Sequence, residues 1–132
     1  MVDNELSYKV RGCIFNVYNG LGPGLIESVY EKVLMYELAK QGLKAESQVH
    51  VPIVYDGKDF GEDLRADIVV ENKLIIELKS VAELNDVHHK QLLTYLRLTG
   101  MQLGILVNFN TDNILRDTRR IINEHTRFHK QF

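Results

Sequence analysis

The stretch RADIVVENKLIIELKS, residues 65–80, constrains the fold of this chain more than any other part of it. Two branched apolar runs flank Glu71-Asn72-Lys73, a pattern that predicts a β-hairpin. Successive side chains of a strand point to opposite faces, so Leu74, Ile76 and Leu78 share one side and Ile75, Glu77 and Lys79 the other. By the same alternation Leu64, Ala66, Ile68 and Val70 lie together, opposite Arg65, Asp67 and Val69. Each strand is expected to have one oily and one charged side. A two-residue loop would place Asp67 opposite Ile76, among aliphatics. A three-residue loop pairs Val70 with Leu74 and sets Asp67 opposite Glu77, and the hydrophobic pattern selects this register because it keeps apolar side chains together.

Two carboxylates facing each other across a ladder lie about 5 Å apart at Cβ. With an effective dielectric near 20 they repel by roughly 3 kcal/mol. A hard divalent cation, Mg2+ or Mn2+, would offset that repulsion, taking one or two carboxylates and completing its shell with water and substrate phosphate. Lys79, further along the same face, is placed to hold a phosphate or the attacking water. The same trio also fits a partly exposed cluster in which Lys79 simply neutralises the acids. The residues alone leave both readings open.

Around this hairpin the hydrophobic period changes. Leu6, Val10, Cys13, Ile14, Val17 and Tyr18 recur at helical spacing and predict a helix over 4–19. GLGPG breaks it at residues 20–24, and a second helix is expected over 25–40, stopped by Gly42. From Glu46 the period falls to two, with Val49, Val51, Ile53 and Tyr55 on one face. Asp56-Gly57 predicts a turn back into an antiparallel strand, and Pro52 an edge position. A helix over 87–98, closed by Gly100, leads to a buried strand over 103–109, a spacing that implies a right-handed crossover to a parallel neighbour. The segment 114–125 fits strand or helix.

The chain has 132 residues, 45% hydrophobic and 26% charged, which suits a single domain spanning 1–132. No apolar run approaches the roughly 20 residues needed to cross a bilayer. The N-terminus lacks the basic-then-apolar order of a signal peptide, so a cytoplasmic protein without membrane contact is expected. Cys13 is the only cysteine, which excludes an intramolecular disulfide and a cysteine-rich zinc site. His88-His89 point about 100° apart on a helix and make a poor chelate. GLGPG lacks the Gly-Lys-Ser/Thr of a phosphate-binding loop. The net charge of −2 argues against nucleic-acid coating by bulk charge. Arg116, Arg119 and Arg120, with Arg127 and Lys130 beyond them, still form a basic segment suited to phosphate contact or to plain solvation.

Asp67, followed after nine residues by Glu77-Leu78-Lys79, resembles the D…(D/E)xK signature of the PD-(D/E)XK nuclease superfamily. Gly24-Leu25-Ile26-Glu27-Ser28-Val29-Tyr30 resembles the pattern that names the GxxExxY protein family, a branch of that superfamily, and the likeness covers residues 8–110. The resemblance implies an α/β restriction-endonuclease-like sandwich with a mixed sheet and an αβββαβ core. It also implies hydrolysis of phosphodiester bonds in DNA or RNA, with Mg2+ or Mn2+ as cofactor. Glu27, Asp67, Glu77 and the backbone carbonyl of Leu78 become the metal ligands. Lys79 orients or activates the water. Gln91 and Tyr95 match an auxiliary QxxxY element, and Tyr30 is a further auxiliary residue. A homodimer is expected by the same analogy. Ala66 stands where the signature has proline, and the likeness does not extend to the basic tail. Each outlying residue has a plain structural reading as well: Glu27 as an acid favoured by the helix dipole, Tyr30 as core, Gln91 and Tyr95 as helix packing. The competing function is a catalytically inactive module that binds nucleic acid or a protein partner.

Overall fold

The computed structural model describes residues 3–124, so Arg127 and Lys130 lie outside the described residues. Helices α1 (Asn4–Leu21) and α2 (Glu27–Lys40) come first, near the expected bounds. Asp3 caps α1 by accepting the Leu6 N–H at 2.9 Å, and Gly42, at φ 73°, follows α2. Strands β1 (Ala45–Val51), β4 (Leu64–Val70) and β5 (Leu74–Lys79) are antiparallel neighbours. Helix α3 (Asp86–Thr99) then crosses over to β6 (Leu103–Asn108), which runs parallel to β5. The ambiguous segment resolves as a strand: β7 (Thr118–Ile122) pairs antiparallel with β6. The five-stranded order is β1-β4-β5-β6-β7, with β1 at an edge as Pro52 suggested.

The predicted long hairpin around Asp56-Gly57 is divided. Pro52 follows the last residue of β1, and the chain continues as a separate ribbon of β2 (Val54–Tyr55) and β3 (Lys58–Asp59). Asp56 and Gly57 both have positive φ, as a tight two-residue turn requires.

The β4–β5 register is the one the hydrophobic pattern selected, with Val70 opposite Leu74 and Ile68 opposite Ile76. Its turn takes the three expected residues, 71–73. Glu71 and Asn72 are both left-handed, at φ 55° and 54°, and Lys73 donates its N–H to the Val70 carbonyl at 3.0 Å. Lys73 is therefore the extra residue that fixes the register. Strain at Glu71 is offset by a bond from its N–H to the Lys44 carbonyl and one from the Lys44 N–H to its carboxylate.

The expectation of one oily and one charged side needs correction. Helices cover both faces of the sheet. Ile68, Val70, Leu74, Ile76 and Leu78 pack with Val10, Ile14 and Leu34 of α1 and α2. Val69, Ile75 and Leu106 pack with Leu92, Tyr95 and Leu96 of α3. Ala66 and Leu64 belong to this second layer and not with Ile68 and Val70. The switch falls beside Gln48, whose φ is 52°, while the β1–β4 register stays constant from Ser47–Ile68 to Val49–Ala66. A left-handed non-glycine residue costs about 1–3 kcal/mol and breaks simple alternation locally.

Helix α3 lies close to β6 because Gly104 has no side chain. A Cβ there would meet Leu92 Cδ2 at 3.0 Å and Leu96 Cδ1 at 3.1 Å. Gly104→Val should destabilise the fold by about 1–3 kcal/mol through overpacking, read as a lower urea midpoint at unchanged slope.

Candidate active site

The β4–β5 ladder runs from Val70–Leu74 to Ile68–Ile76. One step beyond it, side chains replace the backbone bonds. Asp67 donates its N–H to Glu77 Oε1 at 3.1 Å, and Leu78 donates its N–H to Asp67 Oδ2 at 3.0 Å. Each carboxylate thus bridges to the strand that carries the other. Beyond this point β4 continues against β1 and β5 continues against β6, so the acids sit where the two strands part company.

Glu77 is 3% exposed and Asp67 is half-buried. Burial is the main force on both. It pushes the Glu77 carboxyl up to about 8, helped by the charge of Asp67 and a hydrogen bond between the side chains, against the pull of the Asp67 N–H and Lys79. Asp67 is raised as well, by burial first, with Glu31 and Glu27 adding to it and the Leu78 N–H and Lys79 opposing. Lys79 acts on the acids through space; among the described residues it closes no ion pair within 4.0 Å. A single ammonium does not neutralise the site. Below about pH 8 the metal-free pair therefore favours holding a proton on Glu77.

Other expected residues are placed less directly. Glu27 is exposed in the first turn of α2. It does not close with Asp67 and Glu77 into a three-carboxylate group, and among the described residues no three His, Cys, Asp or Glu side chains are arranged to hold an ion. Two hard oxygen donors remain, which still fits an Mg2+-type ion that carries its own water. Tyr30 is fully buried and does not face the acids. It stacks on Phe109 at 4.5 Å, donates its O–H to the Gly22 carbonyl at 2.6 Å, and accepts the Leu25 N–H at 3.2 Å. Ser80, just after Lys79, donates its hydroxyl to the Leu25 carbonyl. Tyr30 therefore fixes the α1–α2 loop, which Ser80 ties to the end of β5. Gln91 donates to the Tyr95 hydroxyl at 3.2 Å, and Tyr95 packs in the α3 layer. Neither makes a hydrogen bond to the acids or Lys79. His88 accepts the Asn85 N–H at 3.3 Å in the capping box of α3, which explains it without a metal.

Of the arginines, Arg116 is engaged by Asp112 at 3.2 Å and Asp117 at 3.5 Å, and Arg120 donates to Asn4 of α1. Arg119 is exposed and stands opposite Leu106, which stands opposite Glu77. It shares the row of the acids, two strands away.

Several contributors were not singled out from the sequence. Asn108, 1% exposed, faces Lys79 across the β5–β6 ladder; its Oδ1 accepts the Val81 N–H at 3.0 Å and its Nδ2 donates to the Val81 carbonyl at 2.9 Å. It locks the chain that leaves Lys79. Glu31 is half-buried and accepts from Gln48 Nε2 at 2.8 Å. Its helical spacing from Glu27 was a signal for it, since residues four apart share a helix face.

A mixed sheet between helical layers, with an Asp and a Glu-x-Lys where two strands separate, defines the restriction-endonuclease-like class of α/β proteins. A family model described as the PD-(D/E)XK nuclease superfamily matches residues 4–121, and the chain belongs to that superfamily. Searches of the curated proteins and of the solved structures find no match.

The raised carboxyls have a signed consequence for stability. A folded-state value above the unfolded one favours the protonated native form, so the contribution is complete below about pH 4.5 and is lost as pH rises through about 8. Metal-free protein should show an unfolding midpoint that declines from pH 5 to pH 8, and Glu77→Gln should flatten that decline. An equal slope in the variant would contradict the assignment.

Proposed function

We propose that this chain is a divalent-metal-dependent nuclease of the GxxExxY branch, hydrolysing phosphodiester bonds of DNA or RNA. Membership of the nuclease superfamily supports nuclease activity in general. The observation that carries the finer reading is the buried Asp67–Glu77 pair, bridged through backbone N–H groups, with Lys79 next on the same face of β5. Such a pair is costly to keep ionised unless a cation shares it.

Asp67 and Glu77 would be the ligands, joined by the Leu78 carbonyl. Bound there, Mg2+ or Mn2+ supplies Lewis acidity toward a phosphate oxygen and lowers the pKa of water. Lys79 holds its ammonium beside the acids and steadies negative charge on the phosphate as it develops. Burial at the junction of two covered sheet faces keeps these interactions strong by limiting solvent. Arg119, exposed in the same row, is the arginine best placed for a phosphate of the substrate backbone. A homodimer, measurable by light scattering, would give each strand of a duplex its own site.

A partner-binding module is the second reading, favoured by the β2–β3 ribbon, where Val54, Tyr55 and Phe60 are all more than half exposed. Such a module would show no saturable Mg2+ uptake dependent on Glu77.

Purified protein should cleave single- or double-stranded DNA or RNA with Mg2+ or Mn2+ and not with EDTA. Asp67→Asn and Lys79→Ala should each lower the rate by about 100-fold or more. Cleavage that persists in both variants refutes the assignment.

A further inference from the structure

The motif directs attention to Glu27, yet α2 presents a second acid one turn further along. The structure separates the two. Glu27 is exposed and makes no hydrogen bond or ion pair among the described residues. Glu31 is half-buried and is held by the Gln48 amide at 2.8 Å. Gln48 in turn stands opposite Asp67, because Ser47 pairs with Ile68 and Val49 with Ala66. The contact thus ties Glu31 to the strand position immediately beside Asp67. Gln48 adopts a left-handed backbone, φ 52°, at this one step of β1. Strain of this kind persists where surrounding structure imposes it, and it concentrates at functional sites.

We propose that Glu31, positioned by Gln48, is the α2 carboxylate that acts on a divalent ion held by Asp67 and Glu77, and that it does so from outside the ligand shell through hydration water. This rests on the reading of Asp67 and Glu77 as metal ligands. Mg2+-type ions bind through one or two carboxylates and keep several waters, so a further acid is effective without touching the ion. Groups that orient a metal's surroundings typically contribute 10–100-fold to its affinity. Gln48 is a positioning residue here, since it acts through its bond to Glu31.

The test is titration calorimetry of the full chain with MnCl2, paired with thermal unfolding in EDTA. Glu31→Gln should weaken Mn2+ affinity about 10-fold or more, and Glu27→Gln less than about 2-fold. Gln48→Gly accepts the left-handed backbone while deleting the amide, so it should also weaken affinity about 10-fold without lowering the EDTA midpoint. Retention of wild-type affinity in Glu31→Gln, or a larger loss in Glu27→Gln, overturns the proposal. Uptake that is lost in Asp67→Asn but intact in Glu31→Gln overturns it alone, leaving the metal reading in place. No Mn2+ uptake by the wild type overturns both.

Discussion

A buried carboxyl pair whose surroundings favour the protonated form governs the centre of this molecule. Asp67 and Glu77 sit one step past the last backbone pair of β4 and β5, and each reaches across to an N–H on the opposite strand. Those two bonds keep the separating strands in register, so the acids hold the sheet together at the point where they are exposed to each other's charge. Burial pushes both toward the neutral form, and Lys79 only partly opposes it. The site therefore carries a standing electrostatic imbalance, which a proton relieves in the metal-free protein and a cation would relieve more completely.

The rest of the fold keeps that imbalance in place. The α2 end of the site is pinned by Tyr30, whose ring stacks on Phe109 of the segment following β6 and whose hydroxyl fastens the Gly22–Leu25 loop. Ser80 ties the same loop to the end of β5. On the other side Asn108 grips both backbone groups of Val81. These contacts lie in two chain segments next to Lys79, so the lysine leaves a strand fixed at both flanks. Helix α3 closes over Ile75 and Leu106, made possible by the missing side chain at Gly104.

Much of this was readable along the chain. The helices, the β4–β5 register and the crossover to a parallel strand followed from hydrophobic period and loop length, which are local properties. The Asp67–Glu77 pairing followed from register alone. Pairwise alternation failed at Ala66, which packs in the α3 layer beside the irregular step at Gln48 of the neighbouring strand. The ribbon beyond Pro52 was read as part of the main hairpin, because its side-chain alternation continues although its pairing into the sheet does not. Tyr30 was ambiguous for a related reason: its spacing is that of a core residue and its motif is that of a site, and it is a core residue that positions a site.

By itself the sequence determined which acids face each other and which segments are helical, since both depend on the spacing of neighbours along one chain. It left open whether segment 114–125 was strand or helix, as its edge pairing requires β6 already in place. It did not single out Glu31, which shares a helix face with Glu27 but is half-buried and bonded to Gln48 of β1. Only the tertiary structure decided that both faces of β5 are covered, that Glu77 is sealed from solvent, and that Gln48 reaches α2 beside Asp67. Burial and long-range contact arise from elements distant in the chain, and it is their packing that turns two ordinary carboxylates into a chemically unusual pair.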